Sequence, residues 1–137
     1  AVVRGSVDRL ERHTGTGEVR VLDYKTGATK VTKPELLAVH PQLGAYQVAV
    51  THGAFPQAGS ASAGAALLYI GRTATKAPDV RLQPPLAKAD DPGWAAALIE
   101  SSAEGMAGVT FAAQPSDACD RCAVRGSCPA QPEGQAV

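Results

Sequence analysis

Asp23 and Lys25 stand near the end of Val21-Leu22-Asp23-Tyr24-Lys25-Thr26-Gly27, a stretch that reads as a strand running into a glycine turn. Side chains alternate along a strand, so Asp23 and Lys25 point one way while Leu22 and Tyr24 point the other. Taken alone, an Asp-x-Lys at a strand end is most simply a surface salt bridge. Asp8 changes the weighing. It lies in Gly5-Ser6-Val7-Asp8-Arg9-Leu10-Glu11, again strand-like, and His13-Thr14-Gly15-Thr16-Gly17 supplies hairpin turn residues between the two. A two-residue turn at Gly15-Thr16 and a four-residue loop both make paired residue numbers sum to 31, which sets Asp8 directly across from Asp23. A three-residue loop would throw Asp8 to the other face. Opposed Cβ atoms lie roughly 4.5–5.5 Å apart, where like charges repel. Two opposed carboxylates beside a lysine make little sense as plain structure. They make good sense as ligands of a hard divalent cation, which often takes one or two carboxylates plus substrate phosphate oxygens.

The elements that must position these groups come next along the chain. Ala28 to Lys33 is a polar connector, and Thr32-x-x-Glu35 predicts a capping box opening a short helix with Pro34 in its first turn. Pro41 stops that helix. A second helix is expected from Pro41 to about His52, with Gly53 as its C-terminal stop. On it, Gln42 and Tyr46 are four apart and share a face. The plain reading of that pair is an amphipathic helix with Tyr46 half-buried. Ala54 to Ala63 is Gly/Ser-rich and reads as a flexible loop. Gly64 to Ile70 is a continuous apolar run, the pattern of a strand covered on both faces. Arg72 to Pro78 reads as loop and Val80-Arg81-Leu82 as a short edge strand ended by Pro84-Pro85. Asp91 is expected to cap a helix from Pro92, with Trp94, Leu98 and Met106 on its buried side. His13, His40 and His52 fall at turns or helix ends without partners at metal-binding spacing and read as surface residues.

The chain has 137 residues, the size of one domain. Its 45% hydrophobic content is that of a globular protein, but much of it is alanine, so a thin core is expected. Thirteen basic and thirteen acidic residues cancel. That argues against a protein that finds nucleic acid through its own long-range field, though not against a nuclease domain whose strand is delivered by an attached motor or other domains. Aromatic content of 4% argues against an extended base-stacking platform. With no apolar run of about 18 residues and no signal peptide, the expectation is a cytoplasmic protein with no membrane partner. The chain opens in Ala1-Val2-Val3 with no methionine and is expected to be a fragment lacking upstream sequence.

Near the end stand Cys119, Cys122 and Cys128, in Cys-x2-Cys-x5-Cys spacing. Three cysteines are one short of the four that a structural zinc or [4Fe–4S] site normally takes. The odd count argues against a disulfide framework. By itself the tail fits zinc as readily as iron–sulfur.

Gly5-x-x-Asp8-Arg9 followed by Asp23-Tyr24-Lys25-Thr26-Gly27 resembles the core of the PD-(D/E)xK nucleases, specifically the RecB-type domains attached to bacterial recombination helicases. The resemblance covers roughly Gly5 to Pro129. It implies an α/β, restriction-endonuclease-like fold, a mixed central sheet flanked by helices, here lacking its N-terminal part. Residues 1–114 would form the core and residues 115–137 the cysteine tail. It implies that Asp8, Asp23 and the backbone carbonyl of Tyr24 bind Mg2+ or Mn2+, and that Lys25 activates water or steadies developing charge. Gln42-x-x-x-Tyr46 matches the family's Gln-x-x-x-Tyr motif, which with Arg9 would line the DNA path. The tail matches AddB-like iron–sulfur nucleases, in which a fourth cysteine upstream of the core completes a [4Fe–4S] cluster. The family usually adds an upstream His or Glu to the metal ligands, and no residue before Asp8 is of either type. The activity implied is hydrolysis of phosphodiester bonds in DNA during repair or recombination, beside a helicase domain or subunit. A catalytically silent DNA-binding or scaffold module of the same fold is the alternative, favoured had an acid or the lysine been lost. A zinc-stabilised interaction domain would leave the acid pair unexplained.

Overall fold

A computed structural model describes residues 2–27, 29–71, 78–110 and 112–135. The chain divides into two compact units, Ala1–Ser102 and Ala103–Val137.

The first unit is built on a four-stranded mixed sheet in the order β1-β2-β3-β4, with β1 Arg9–Arg12, β2 Val19–Lys25, β3 Ser62–Tyr69 and β4 Asp79–Gln83. The outer pairs are antiparallel and the central pair, β2 with β3, is parallel. A parallel pair needs a crossover. Here helices α1, Pro34–Ala38, and α2, Pro41–Thr51, lie between the two strands. This is a mixed sheet with flanking helices, compatible with a restriction-endonuclease-like α/β core.

The hairpin takes the predicted register. Arg9 pairs with Leu22 and Arg12 with Val19, and His13 N–H donates to the Glu18 carbonyl at 2.8 Å. That closes a four-residue loop, Thr14 to Gly17, in which the Gly17 N–H returns to the His13 carbonyl at 2.8 Å. On one face of the sheet Val19, Val21, Ala65, Leu67 and Tyr69 meet Leu43 and Val50 of α2 in a small core.

Two glycines are dictated by close approach. Gly44 of α2 faces Trp94, and a Cβ there would lie 2.5 Å from the indole ring. Gly64 in β3 has φ +93 and would drive a Cβ into the Gln83 carbonyl, so only glycine fits without strain.

Several expectations are corrected. The Thr32–Glu35 capping box does not form: Pro34 occupies the first helical position, so the cap residue is Lys33, which makes no side-chain cap bond. Residues 54–63 are not a free loop, because Phe55 and Ala58 pack on the core and Ser62 already belongs to β3. Helix α3, Trp94–Ala107, starts two residues later than Pro92, since the Asp91 carboxylate accepts the Gly93 N–H at 2.9 Å ahead of the helix. Leu98 and Met106 are 40% and 72% exposed, because only the first turn of α3, through Trp94 and Ala95, reaches the notch at Gly44. The proposed loop at 72–78 lies, except for Pro78, outside the described residues.

The second unit carries three 3-10 turns, Asp117–Arg121, Arg125–Ser127 and Pro132–Gln135, with no buried residue in any of them.

Candidate active site

Asp23 sits in the middle of the paired part of β2, only 4% exposed, on the face covered by α2. A carboxylate there needs compensation. Lys25, two residues on and on the same face, brings Nζ to 2.7 Å from Asp23 Oδ2. The same ammonium donates to Gln42 Oε1 at 2.8 Å. Gln42 turns its amide nitrogen the other way, donating to Asp23 Oδ1 and to the Tyr46 hydroxyl, both at 2.8 Å. Tyr46 in turn donates its O–H to Asp23 Oδ1 at 3.1 Å. The four side chains close a ring. The helical spacing that puts Gln42 and Tyr46 on one face thus delivers both to one carboxylate oxygen.

The two oxygens of Asp23 are not equivalent. Oδ1 accepts two hydrogen bonds, whereas Oδ2, buried, meets Lys25 as an ion pair without an aligned donor. A cation at Oδ2 would therefore meet or displace the Lys25 ammonium that now faces it.

Asp8 lies one residue before β1, and continuing the register by that residue sets it across from Asp23. It is exposed, and its Oδ2 accepts the Tyr24 N–H at 2.7 Å. The N–H and C=O of one strand residue point to the same side, so the Tyr24 carbonyl also faces the edge at which Asp8 stands. Two carboxylates and a backbone carbonyl are the oxygen donors that Mg2+ or Mn2+ takes.

His40, read from the sequence as a surface residue, belongs to this neighbourhood. It caps α2, accepting the Leu43 N–H on Nδ1 at 3.5 Å. Burial, then the nearby charge of Lys25, pushes its pKa down, with Asp23 opposing. Burial also pushes the Tyr46 phenol up, which keeps its proton available to Asp23.

Arg9 is not brought to Asp23. It pairs with Glu11 at 3.0 Å on the opposite face of the hairpin, and the Tyr24 hydroxyl, then Glu11, raise its pKa. A cavity of about 600 Å³ along the hairpin, lined by Arg9, Arg12, His13 and Arg20 among others, includes none of Asp8, Asp23 and Lys25.

Sequence reading also missed a buried glutamine pair. Gln47, fully buried, donates to Gln83 Oε1 at 2.9 Å and to the Pro84 carbonyl at 3.1 Å, and accepts from Ser62 and Leu86, both at 3.0 Å. Gln83 donates to the carbonyls of Leu37 and Ala38 at 2.9 and 3.1 Å. This pins the α1–α2 junction and so the place where α2, with Gln42, begins.

The sequence profile of the PD-(D/E)XK nuclease superfamily matches residues 1–129. The chain belongs to that superfamily. Among curated proteins no relative matches it. Nucleases of the superfamily generally use Mg2+ or Mn2+, in keeping with the oxygen donors gathered around Asp23. Among the described residues no helix is long and apolar enough to cross a membrane.

The cysteines are a separate matter. All three are free, and Cys119 Sγ accepts the Ser116 N–H at 3.2 Å. Among the described residues no three His, Cys, Asp or Glu side chains are grouped to hold a metal ion. As placed, the tail is not a complete ligand set.

Proposed function

We propose that this nuclease-superfamily domain is a metal-dependent deoxyribonuclease of RecB type. It would hydrolyse phosphodiester bonds as an exonuclease in DNA repair or recombination, in the cytoplasm and beside a helicase. The observation that carries the reading is the buried Asp23, with one oxygen held by Gln42 and Tyr46 and the other paired with Lys25, across the hairpin register from Asp8. Asp8, Asp23 and the Tyr24 carbonyl would hold the cation. When bound, it supplies Lewis-acid polarisation of the phosphate and a lowered pKa for water.

The protein's own groups do the rest. Gln42 bridges the Lys25–Asp23 ion pair, accepting from Lys25 and donating to Asp23, and so fixes both in place. Lys25 is thereby aimed at the place where charge builds on the phosphate, the arrangement that makes a preorganised cation effective in a water-poor site. Tyr46 and Gln42 fix the orientation of Asp23. The resemblance to AddB-like nucleases is what suggests a [4Fe–4S] cluster at Cys119, Cys122 and Cys128 with a further ligand, since their spacing alone fits zinc as readily, and no step of the reaction runs through it.

The test is cleavage of end-labelled DNA with Mg2+ or Mn2+. Asp23→Ala and Lys25→Ala should each abolish cleavage yet leave DNA binding largely intact, since affinity is spread over many backbone contacts. Unchanged cleavage in either variant overturns the assignment.

A further inference from the structure

We propose that Lys30 and Arg81, gathered around Asp79, form a second phosphate-binding subsite that engages a backbone phosphodiester next to the one cleaved. The proposal deepens, and rests on, the nuclease reading.

Strand register places the cluster. Lys25 pairs with Tyr69, which pairs with Asp79, and Asp23 pairs with Leu67, which pairs with Arg81. Side chains in one such row leave the same face of a sheet. Asp79 and Arg81 therefore stand on the Asp23–Lys25 face, two strands away from β2, a backbone separation on the order of 10 Å. Lys30 comes from the connector after Gly27. Its ammonium lies 5.6 Å above the Tyr69 ring and 3.1 Å from Asp79 Oδ2. The connector is pinned there, because the Val31 N–H donates to the Tyr69 hydroxyl at 2.9 Å. Arg81 approaches the same carboxylate with Nε 3.0 Å from Oδ1 and Nη2 3.1 Å from Oδ2.

Two cations thus share one carboxylate, and a unit of positive charge is left over beside the catalytic row. The side chains of Lys30, Asp79 and Arg81 are 23%, 28% and 35% exposed, so they are held in place but reachable. Lys30, then Arg81, hold the Asp79 carboxyl below its ordinary range, which keeps the counter-ion charged and the two cations in position. In a chain of zero net charge, local surpluses of this kind are what a phosphate backbone can use. Nothing about the cluster depends on base identity, so its ligand class is the sugar–phosphate strand.

The competing explanation is a structural clamp tying the connector to β4. Anisotropy of a fluorescein-labelled single-stranded oligodeoxynucleotide, titrated in NaCl without divalent metal, separates the two. Lys30→Gln and Arg81→Gln should each weaken binding several-fold at low salt. Each should also flatten the slope of log K against log salt by about 0.7, the share of one contact to a single strand. Asp79→Asn releases both cations and should tighten binding and steepen the slope. A clamp predicts the opposite for Asp79→Asn. Thermal melting confirms which variants are folded, and Lys30→Gln, on the connector, leaves the sheet untouched. Wild-type affinity and slope in both cation variants, or weaker binding by folded Asp79→Asn, overturns the subsite. Metal-dependent cleavage by the wild type, run alongside, keeps the two readings apart. Cleavage with unchanged slopes rejects the subsite alone, whereas neither binding nor cleavage by the wild type rejects the nuclease reading and the subsite with it.

Discussion

Gln42 touches both halves of the Asp23–Lys25 pair, and Tyr46 touches only Asp23. Their removal should therefore differ. Hydrogen bonds to charged groups contribute about 1.5–3 kcal/mol, roughly one to two powers of ten in rate if they act in the transition state. Gln42→Leu breaks two such contacts and should cost DNA cleavage more than Tyr46→Phe, which leaves the Gln42 donor on Oδ1. Single-turnover cleavage of a labelled oligonucleotide checks the order, and an equal or reversed order would remove Gln42 from the centre of the ring. His40 gives a prediction in pH. Its folded pKa lies below its unfolded value, so the unfolded chain binds the proton first as pH falls below about 6.5. Stability from this group is whole above that pH and is lost as pH falls through the folded pKa. Urea melts from pH 7.5 to 5 should show this loss in the wild type and a shallower one in His40→Gln. Asp23 and Lys25 were legible because the strand period puts them on one face. The helix period likewise paired Gln42 with Tyr46, but only the family resemblance gave that pair a role, and its contact with Asp23 came with the docking of α2. His40 was not, because its nearness to Lys25 depends on how α2 docks on the sheet.

At the scale of elements, α2 is fixed at its start by Gln83 and along its middle by Trp94 resting on Gly44. Gly44→Val forces the indole or the helix to move, and overpacking of this kind costs about 1–3 kcal/mol. Gln83→Leu removes the donor to the Leu37 and Ala38 carbonyls and an acceptor of Gln47, leaving buried polar atoms unpaired at about 1–3 kcal/mol. Both should lower the urea midpoint. Gln83→Leu should also reduce cleavage beyond its effect on folding, because the junction it pins sets where Gln42 stands. Denaturation and activity measured on the same preparations separate the two effects. Neither role could be read in advance. A glutamine among apolar residues looks the same whether it faces water or a buried partner, and Gly44 invites an indole only once α3 is docked. The hairpin was legible because register is a matter of counting, and four loop residues preserve the sum that two would give. The capping box failed because Pro34 shifts the helix start by one residue. The buried stripe expected of α3 failed because amphipathic spacing shows which side chains could be covered, not whether a surface is present to cover them.

For the molecule as a whole, the two units differ in what holds them together. Residues 1–102 enclose a core of fully buried aliphatic side chains, whereas the turns at 117–135 bury none and are linked by a run of local bonds. In that run the amide of Cys122 donates to the carbonyl of Cys119, Arg125 to Cys122, Cys128 to Arg125 and Gln131 to Cys128, at 3.0–3.2 Å. Such turns carry little stability of their own, since every bond can be replaced by water and no fully buried side chain is exposed on opening. Amides of 117–135 should therefore exchange with solvent far faster than those of β2 and β3 in the metal-free chain, and Cys122, which is exposed, should react readily with an alkylating reagent. Metal binding that organises thiolates is coupled to local folding. If the cysteine spacing serves a cluster, anaerobic addition of ferrous iron and sulfide should slow both exchange and alkylation and produce broad visible absorption. Zinc should give protection without colour. Exchange in the tail already as slow as in β3 before any metal is added would show that its turns stand without a metal. Unchanged alkylation of Cys119, Cys122 and Cys128 after loading would remove the cysteines from any ligand set and leave the reading of Asp8, Asp23 and Lys25 as it is.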